Sequence, residues 1–246
     1  MNKFKLVKTS VLLTTCLALT PFALASTSYQ LTITNGSKMP ISPAAIYIVK
    51  GNSASAEVGV EASVGYIQLC QTGNPSTRLN ELKANPLVQS TIQTAAPILP
   101  GKSITVEIEV KSPRYQSIHF EAMYGKTKDI CGVGSFNSHS LVALKQHLTS
   151  EVIQRDSTLV TGAFSEPDLK GGIDYFNSGP CSSAIDALAC LREISEPASN
   201  KGVIRFFSGY LPSLLNALEA KYGSTDVQGL IIPSSGAIQL KLKLKH

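Results

Sequence analysis

The stretch AIQLKLKLKH, residues 237–246, decides the fold class. Ile238, Leu240, Leu242 and Leu244 alternate with Gln239, Lys241, Lys243 and Lys245. Successive side chains of a β-strand point to opposite faces, so this period of two buries the aliphatic set and leaves the lysines in water. A helix would scatter the same residues around its circumference. One dry face and one wet face imply an antiparallel sheet packed on one side only. The lysine row reads as the solvated face of a terminal strand, where positive charge also discourages edge-to-edge pairing, in preference to an anion-binding stripe.

Outward from that stretch the same pattern returns. SITVEIEV, residues 103–110, places Ile104, Val106, Ile108 and Val110 inward and Thr105, Glu107 and Glu109 outward, after a Pro100-Gly101 turn. YQLTITNG, residues 29–36, puts Tyr29, Leu31 and Ile33 on one face and stops at Asn35-Gly36. Further strands are expected over 45–51, 118–125 and 202–210. Helical spacing is confined to 76–95, 140–148 and 182–194. The first of these reads as a short helix capped near Ser76 or Thr77, then a second one started by Pro86. No strand-helix unit repeats, which argues against a parallel α/β fold. The expectation is an all-β chain, an antiparallel β-sandwich with a few short helices in the connections.

The amino terminus speaks to compartment. Lys3, Lys5 and Lys8 precede the apolar run VLLTTCLALTPFALA, which ends in Ala23-Leu24-Ala25 before Ser26. A basic region, a short apolar region and a small-x-small site together predict a signal peptide over 1–25, cut between Ala25 and Ser26. Cys16 follows Thr14-Thr15, poor small residues for lipoprotein cleavage, so plain export is expected, to the medium or the periplasm. Residues 26–246 then form one domain. No later stretch approaches the ~20 apolar residues of a membrane span. The first 25 residues hold three of the 22 basic residues and none of the 17 acidic ones, which leaves a balance of +2 beyond them. Such a balance gives no general pull toward nucleic acid. Four cysteines remain there, Cys70, Cys131, Cys181 and Cys190, an even count that suggests two disulfides in any of three connectivities.

Catalytic signatures are missing: the chain holds no G-x-S-x-G elbow, no Ser-x-x-Lys and no H-E-x-x-H. His139 and His147 read as polar surface residues, and His119 as facing away from Ile118 and Phe120. Gly125-Lys126-Thr127 lacks the earlier glycine of a phosphate loop, since Phe120 stands there. Residues 129–134 read as a glycine-rich loop. Asp129 in that loop, with Asp174, Asn177 and Ser178 in KGGIDYFNSG, residues 170–179, offers oxygen donors of the kind calcium takes.

Six segments in order resemble the spondin amino-terminal domain. They are TITNGSKMPISPAAIYI (32–48), EVGVEAS (57–63), ILPGKSITVEIE (98–109), FEAMYGKTKDICGVGSF (120–136), KGVIRFFSGYL (201–211) and the closing GAIQLKLKLKH. The resemblance implies a single antiparallel sandwich, export, and adhesion or binding to an extracellular or envelope protein or a glycan, without catalysis. It also implies a calcium ion, with Asp129 matching the aspartate of the family's "T-N-D" loop and Asp174 the first of "D-A-G-T-[DE]". Ser178 stands where that segment's last acid is expected, and Lys128 replaces the family's asparagine. Both departures predict a weakened cation site. The rival readings are a secreted hydrolase with a loop-borne site around His139 or His147, and a structural envelope protein.

Overall fold

The computed structural model describes residues 26–51, 56–124, 130–146, 152–161, 202–207 and 236–245, with isolated positions at 216, 219–220 and 223. Ten strands are described there: β1 Thr27–Asn35, β2 Ala45–Lys50, β3 Val88–Gln93, β4 Ser103–Val110, β5 Gln116–Met123, β6 Ile130–Phe136, β7 Val152–Asp156, β8 Thr158–Thr161, β9 Arg205–Phe206 and β10 Ile238–Leu244. Three helices join them, α1 Val64–Thr72, α2 Ser76–Ala84 and α3 Ser138–Lys145. The strands form two antiparallel sheets, in the orders β4-β1-β10-β7 and β3-β2-β5-β6-β8-β9. The fold is an all-β sandwich, as the alternation requires.

Register explains why the first and last strands meet. Leu31 pairs with Leu242 and Ile33 with Leu240, and on β1's other side Val106 and Ile104 take the same two positions. Every aliphatic row of the three strands therefore falls on one face. Tyr29, Leu31, Ile33, Ile238, Leu240 and Leu242 are fully buried against Ile46, Ile118, Phe120 and Phe136 of the other sheet, and Ile104 packs against the same cluster. The closing strand is not an edge. β10 lies between β1 and β7, so the Lys241 and Lys243 row keeps a solvated face wet and blocks no edge pairing.

Two local expectations fail for physical reasons. Residues 88–93 form strand β3 and not a helix from Pro86; the free edge of β2 accepts the β-branched Val88, Thr91 and Ile92 in antiparallel register. The helix before it runs Ser76–Ala84, with the Asn74 side chain accepting from the Ser76 N–H. Residues 130–134 belong to strand β6 and not to a loop. A Cβ on Gly132 would overlap Ile238 Cδ1, and one on Gly134 would overlap Leu240 Cδ1. The glycines let the two sheets approach, which a reading of the strand by itself takes for a turn. Helix α1, capped by the Ser63 side chain, was not expected at all. The 140–148 helix is present as α3, and the 182–194 segment lies outside the described residues.

Candidate functional site

Among the described residues the strongest concentration of polar chemistry sits on the outer face of the six-stranded sheet. β5 is buried on both sides: Ile118, Phe120 and Ala122 enter the inter-sheet core, while Ser117, His119 and Glu121 are buried on the opposite face, where Glu121 meets Arg78 of α2. Tyr47, Leu69, Cys70, Leu79, Leu82 and Cys131 make a second apolar core there. Helices reach that face because Gly65 presses α1 onto the α2 backbone; a Cβ at Gly65 would meet Arg78 Cα at 2.7 Å.

Within this layer Arg78 and Glu121, 3 % and 1 % exposed, form a fork-to-fork pair. Arg78 Nε donates to Glu121 Oε2 at 2.8 Å and Nη2 to Oε1 at 2.9 Å, and Tyr47 donates its hydroxyl to Oε1 at 2.6 Å. Arg78 Nη1 donates to Ser63 Oγ at 2.8 Å, and Ser63 donates to Glu81 Oε2 at 2.5 Å. Glu81 accepts as well from the Gly65 N–H at 2.6 Å, which satisfies an orphan donor of α1's first turn. Burial works against the Arg78 charge, but the Glu121 carboxylate, with smaller help from Tyr47 and Glu81, holds the guanidinium above its usual range. Both bidentate bonds and the tyrosine are needed, because a buried carboxylate left short of donors costs several kcal/mol. The cluster clamps the helix pair to the sheet.

Beside it, His119 stacks on Tyr47 with ring centroids 5.2 Å apart and lies 2.8 Å from Ser117 Oγ. Ser117 donates its one hydroxyl proton to the Gly51 carbonyl at 2.8 Å. The imidazole must therefore donate from Nε2 to that oxygen, a tautomer assigned from the bonding pattern. Histidine in this state does not deprotonate the serine, so the pair is not an activated nucleophile. Burial pushes the His119 pKa down to about 4, against a smaller upward pull from Glu121 and Glu57.

A pH dependence follows from that shift. The folded value lies below the ordinary 6.5, so protons bind the unfolded chain more readily. Stability from this residue is complete above pH 6.5 and is lost as the pH falls from there to about 4. That gap corresponds to about 3 kcal/mol. Urea melts across this window should show the loss, and His119→Phe, which keeps a ring against Tyr47, should flatten the profile. An unchanged slope in the variant removes His119 as its source.

His119 and Glu121 also line a cavity of about 220 Å³, bounded by Tyr47 and, across β6, by Arg155, Asp156 and Thr158. β8 covers β6 only from Ile130 to Val133, which leaves the wall open at Ser135. Arg155 reaches the Ser135 carbonyl there at 3.4 Å.

Of the residues singled out from sequence, Cys70 and Cys131 are joined, with an S–S bond of 2.04 Å and Cα atoms 5.5 Å apart. This selects one bond among the connectivities and ties α1 to β6. Cys181, Cys190, Asp129, Asp174, Ser178, His147 and Ala25 lie outside the described residues. Ser26 is exposed one residue before β1, and His139 is exposed on the first turn of α3. The connection that carries Asp129 is closed at its base, where the Tyr124 N–H donates to the Ile130 carbonyl at 2.7 Å. Among the described residues no group of three or more His, Cys, Asp or Glu stands ready for a metal, and no helix is long and apolar enough to cross a membrane.

Arg78, Glu121 and Tyr47 were missed from sequence. One signal was available: Arg78 and Leu82 are four apart, so a helix that buries Leu82 carries Arg78 on the same face. No protein-family model matches the chain, and no curated protein matches it at significant similarity.

Proposed function

We propose that this is an exported, non-enzymatic binding protein, a spondin-like sandwich of the adhesion type. Its loop end, completed by a weak calcium site at Asp129 and Asp174 with Ser178 as a neutral donor, would meet an extracellular or envelope protein or glycan. The observation that carries the binding reading is the Ser117–His119–Glu121 row. It is the most catalysis-like set among the described residues, yet each member is committed to holding the fold: Ser117 to Gly51, His119 to Ser117 and Glu121 to Arg78. The Cys70–Cys131 bond supports an oxidising compartment, and the leader-like first 25 residues support export.

Thermal melts with calcium and with chelator test the reading. A cation bound only by the native state raises stability by mass action. With an affinity of about 10⁻⁴ to 10⁻³ M, as in extracellular modules, millimolar calcium should raise the melting temperature by a few degrees. Asp129→Asn and Asp174→Asn should each abolish the rise. No rise in the unaltered chain removes the calcium clause. Turnover of ester, glycoside or peptide substrates that disappears in His139→Ala would replace the binding reading with the hydrolase.

A further inference from the structure

The chain passes from β4 to β5 through Lys111, Ser112 and a tight Pro113–Tyr115 turn, and α3 packs against that turn. This is the opposite end of the sandwich from the Asp129 connection, since β5 runs from the turn at Gln116 toward that connection at Met123. A groove of about 290 Å³ lies between turn and helix, with Pro113, Tyr115 and Val142 as its apolar part and Lys111, Arg114 and Lys145 around it.

We propose that this groove binds an acidic polysaccharide, a sugar chain that bears carboxylates or sulfates. Three observations converge on that class. The first is charge: among the described residues three cations line the groove, no acid does, and none of the three is engaged in an ion pair. Lys245 shows the contrast, because its charge is met by Glu107 at 2.6 Å. Lys145 in the last turn of α3 also favours the carbonyl end of its helix, but Lys111 precedes the turn and has no such role. The second is Tyr115, which is 72 % exposed beside those cations. A tyrosine with one apolar face and a polar tip suits a ligand that is itself part apolar and part wet, as the C–H face of a sugar ring is. The third is the backbone. The Tyr115 N–H donates to Ser112, its carbonyl accepts from Gly51, and the Ser112 N–H donates to the Gln116 side chain. The Ser112 and Tyr115 N–H donors are thus spent within the fold, so a ligand here is met by side chains, as a glycan can be without any strand-like pairing. Arg114 supplies the planar fork that matches a carboxylate or sulfate.

The proposal goes beyond the binding reading above and does not depend on the calcium loop. Its test is therefore run in excess chelator, on the full chain purified as the cell processes it. Titration calorimetry with polygalacturonate, dextran sulfate and uncharged dextran should give binding to an acidic chain, weakened by salt, and none to the neutral one. Arg114→Gln or Lys111→Gln should weaken it a few-fold and the pair together by about tenfold. Tyr115→Ala should weaken it while leaving the salt dependence in place. Lys241→Gln with Lys243→Gln removes the same net charge from the outer face of the four-stranded sheet and should change nothing. The proposal is overturned if neither acidic chain binds, if the Lys241 and Lys243 pair matters as much as the groove pair, or if polyglutamate binds more tightly than either polysaccharide. Failure here leaves a calcium-dependent melting shift untouched, so the two readings fall separately.

Discussion

Glu121→Gln should lower stability by about 3–5 kcal/mol, because it leaves the Arg78 guanidinium buried without its counter-charge. The two side chains are almost fully enclosed and bonded through both oxygens, so water does not replace the missing carboxylate. For a chain of this length the melting temperature should fall by about ten degrees or more. Replacing both partners with apolar residues of similar size, Arg78→Met with Glu121→Leu, should recover much of the loss, since buried pairs often do little better than a well-packed apolar substitute. The double variant also keeps the claim testable if Glu121→Gln does not fold. Additive losses in the two single variants and the double would show that Arg78 and Glu121 are not coupled.

Removal of the Cys70–Cys131 bond is the second large effect. The bond closes a loop of sequence separation 61, and the chain-entropy relation gives about 4 kcal/mol for a loop of that length. Cys70→Ala with Cys131→Ala should therefore lower the denaturant midpoint by an amount equivalent to about 2–5 kcal/mol. The loss should be uneven. The bond joins α1 to β6, so amide exchange in α1 and α2 should speed up before exchange in β1 and β10 does. Uniform acceleration through both sheets would mean that the bond acts on the unfolded chain alone. Because both sulfurs are fully buried, reductant should act slowly on the folded chain and quickly once urea opens it.

The acid loss assigned to His119 and the loss on breaking the Arg78 pair act on one layer. They meet at Tyr47, which stacks on His119 and donates to the Glu121 carboxylate that holds Arg78 of α2, and both leave the inter-sheet core unaltered. Mild acid should consequently loosen α1 and α2 ahead of the sandwich, and that order is visible by the same exchange measurement.

The sandwich was legible in four stretches. In β1, β4, β5 and β10 the apolar alternation named the inward residues correctly, because a strand with one wet face carries its own orientation in a period of two. His119 was rightly placed opposite Ile118 and Phe120. The side it faces is a second interior, since periodicity separates the two faces of a strand without saying what covers either. Residues 88–93 show a related limit: Pro86 suits the start of a helix, but the open edge of β2 lies far off in the chain and outweighs local preference.

Strand character and the count of cysteines were thus carried by the amino-acid order itself, being properties of short windows or of composition. The pairing of Cys70 with Cys131, the Arg78–Glu121 clamp, the glycines of β6 and the basic groove at the Pro113–Tyr115 turn were decided only by the tertiary structure. Each depends on residues tens of positions apart, or on the surface opposite, and a buried charge or an unfilled Cβ position takes its meaning from what the rest of the chain packs against it.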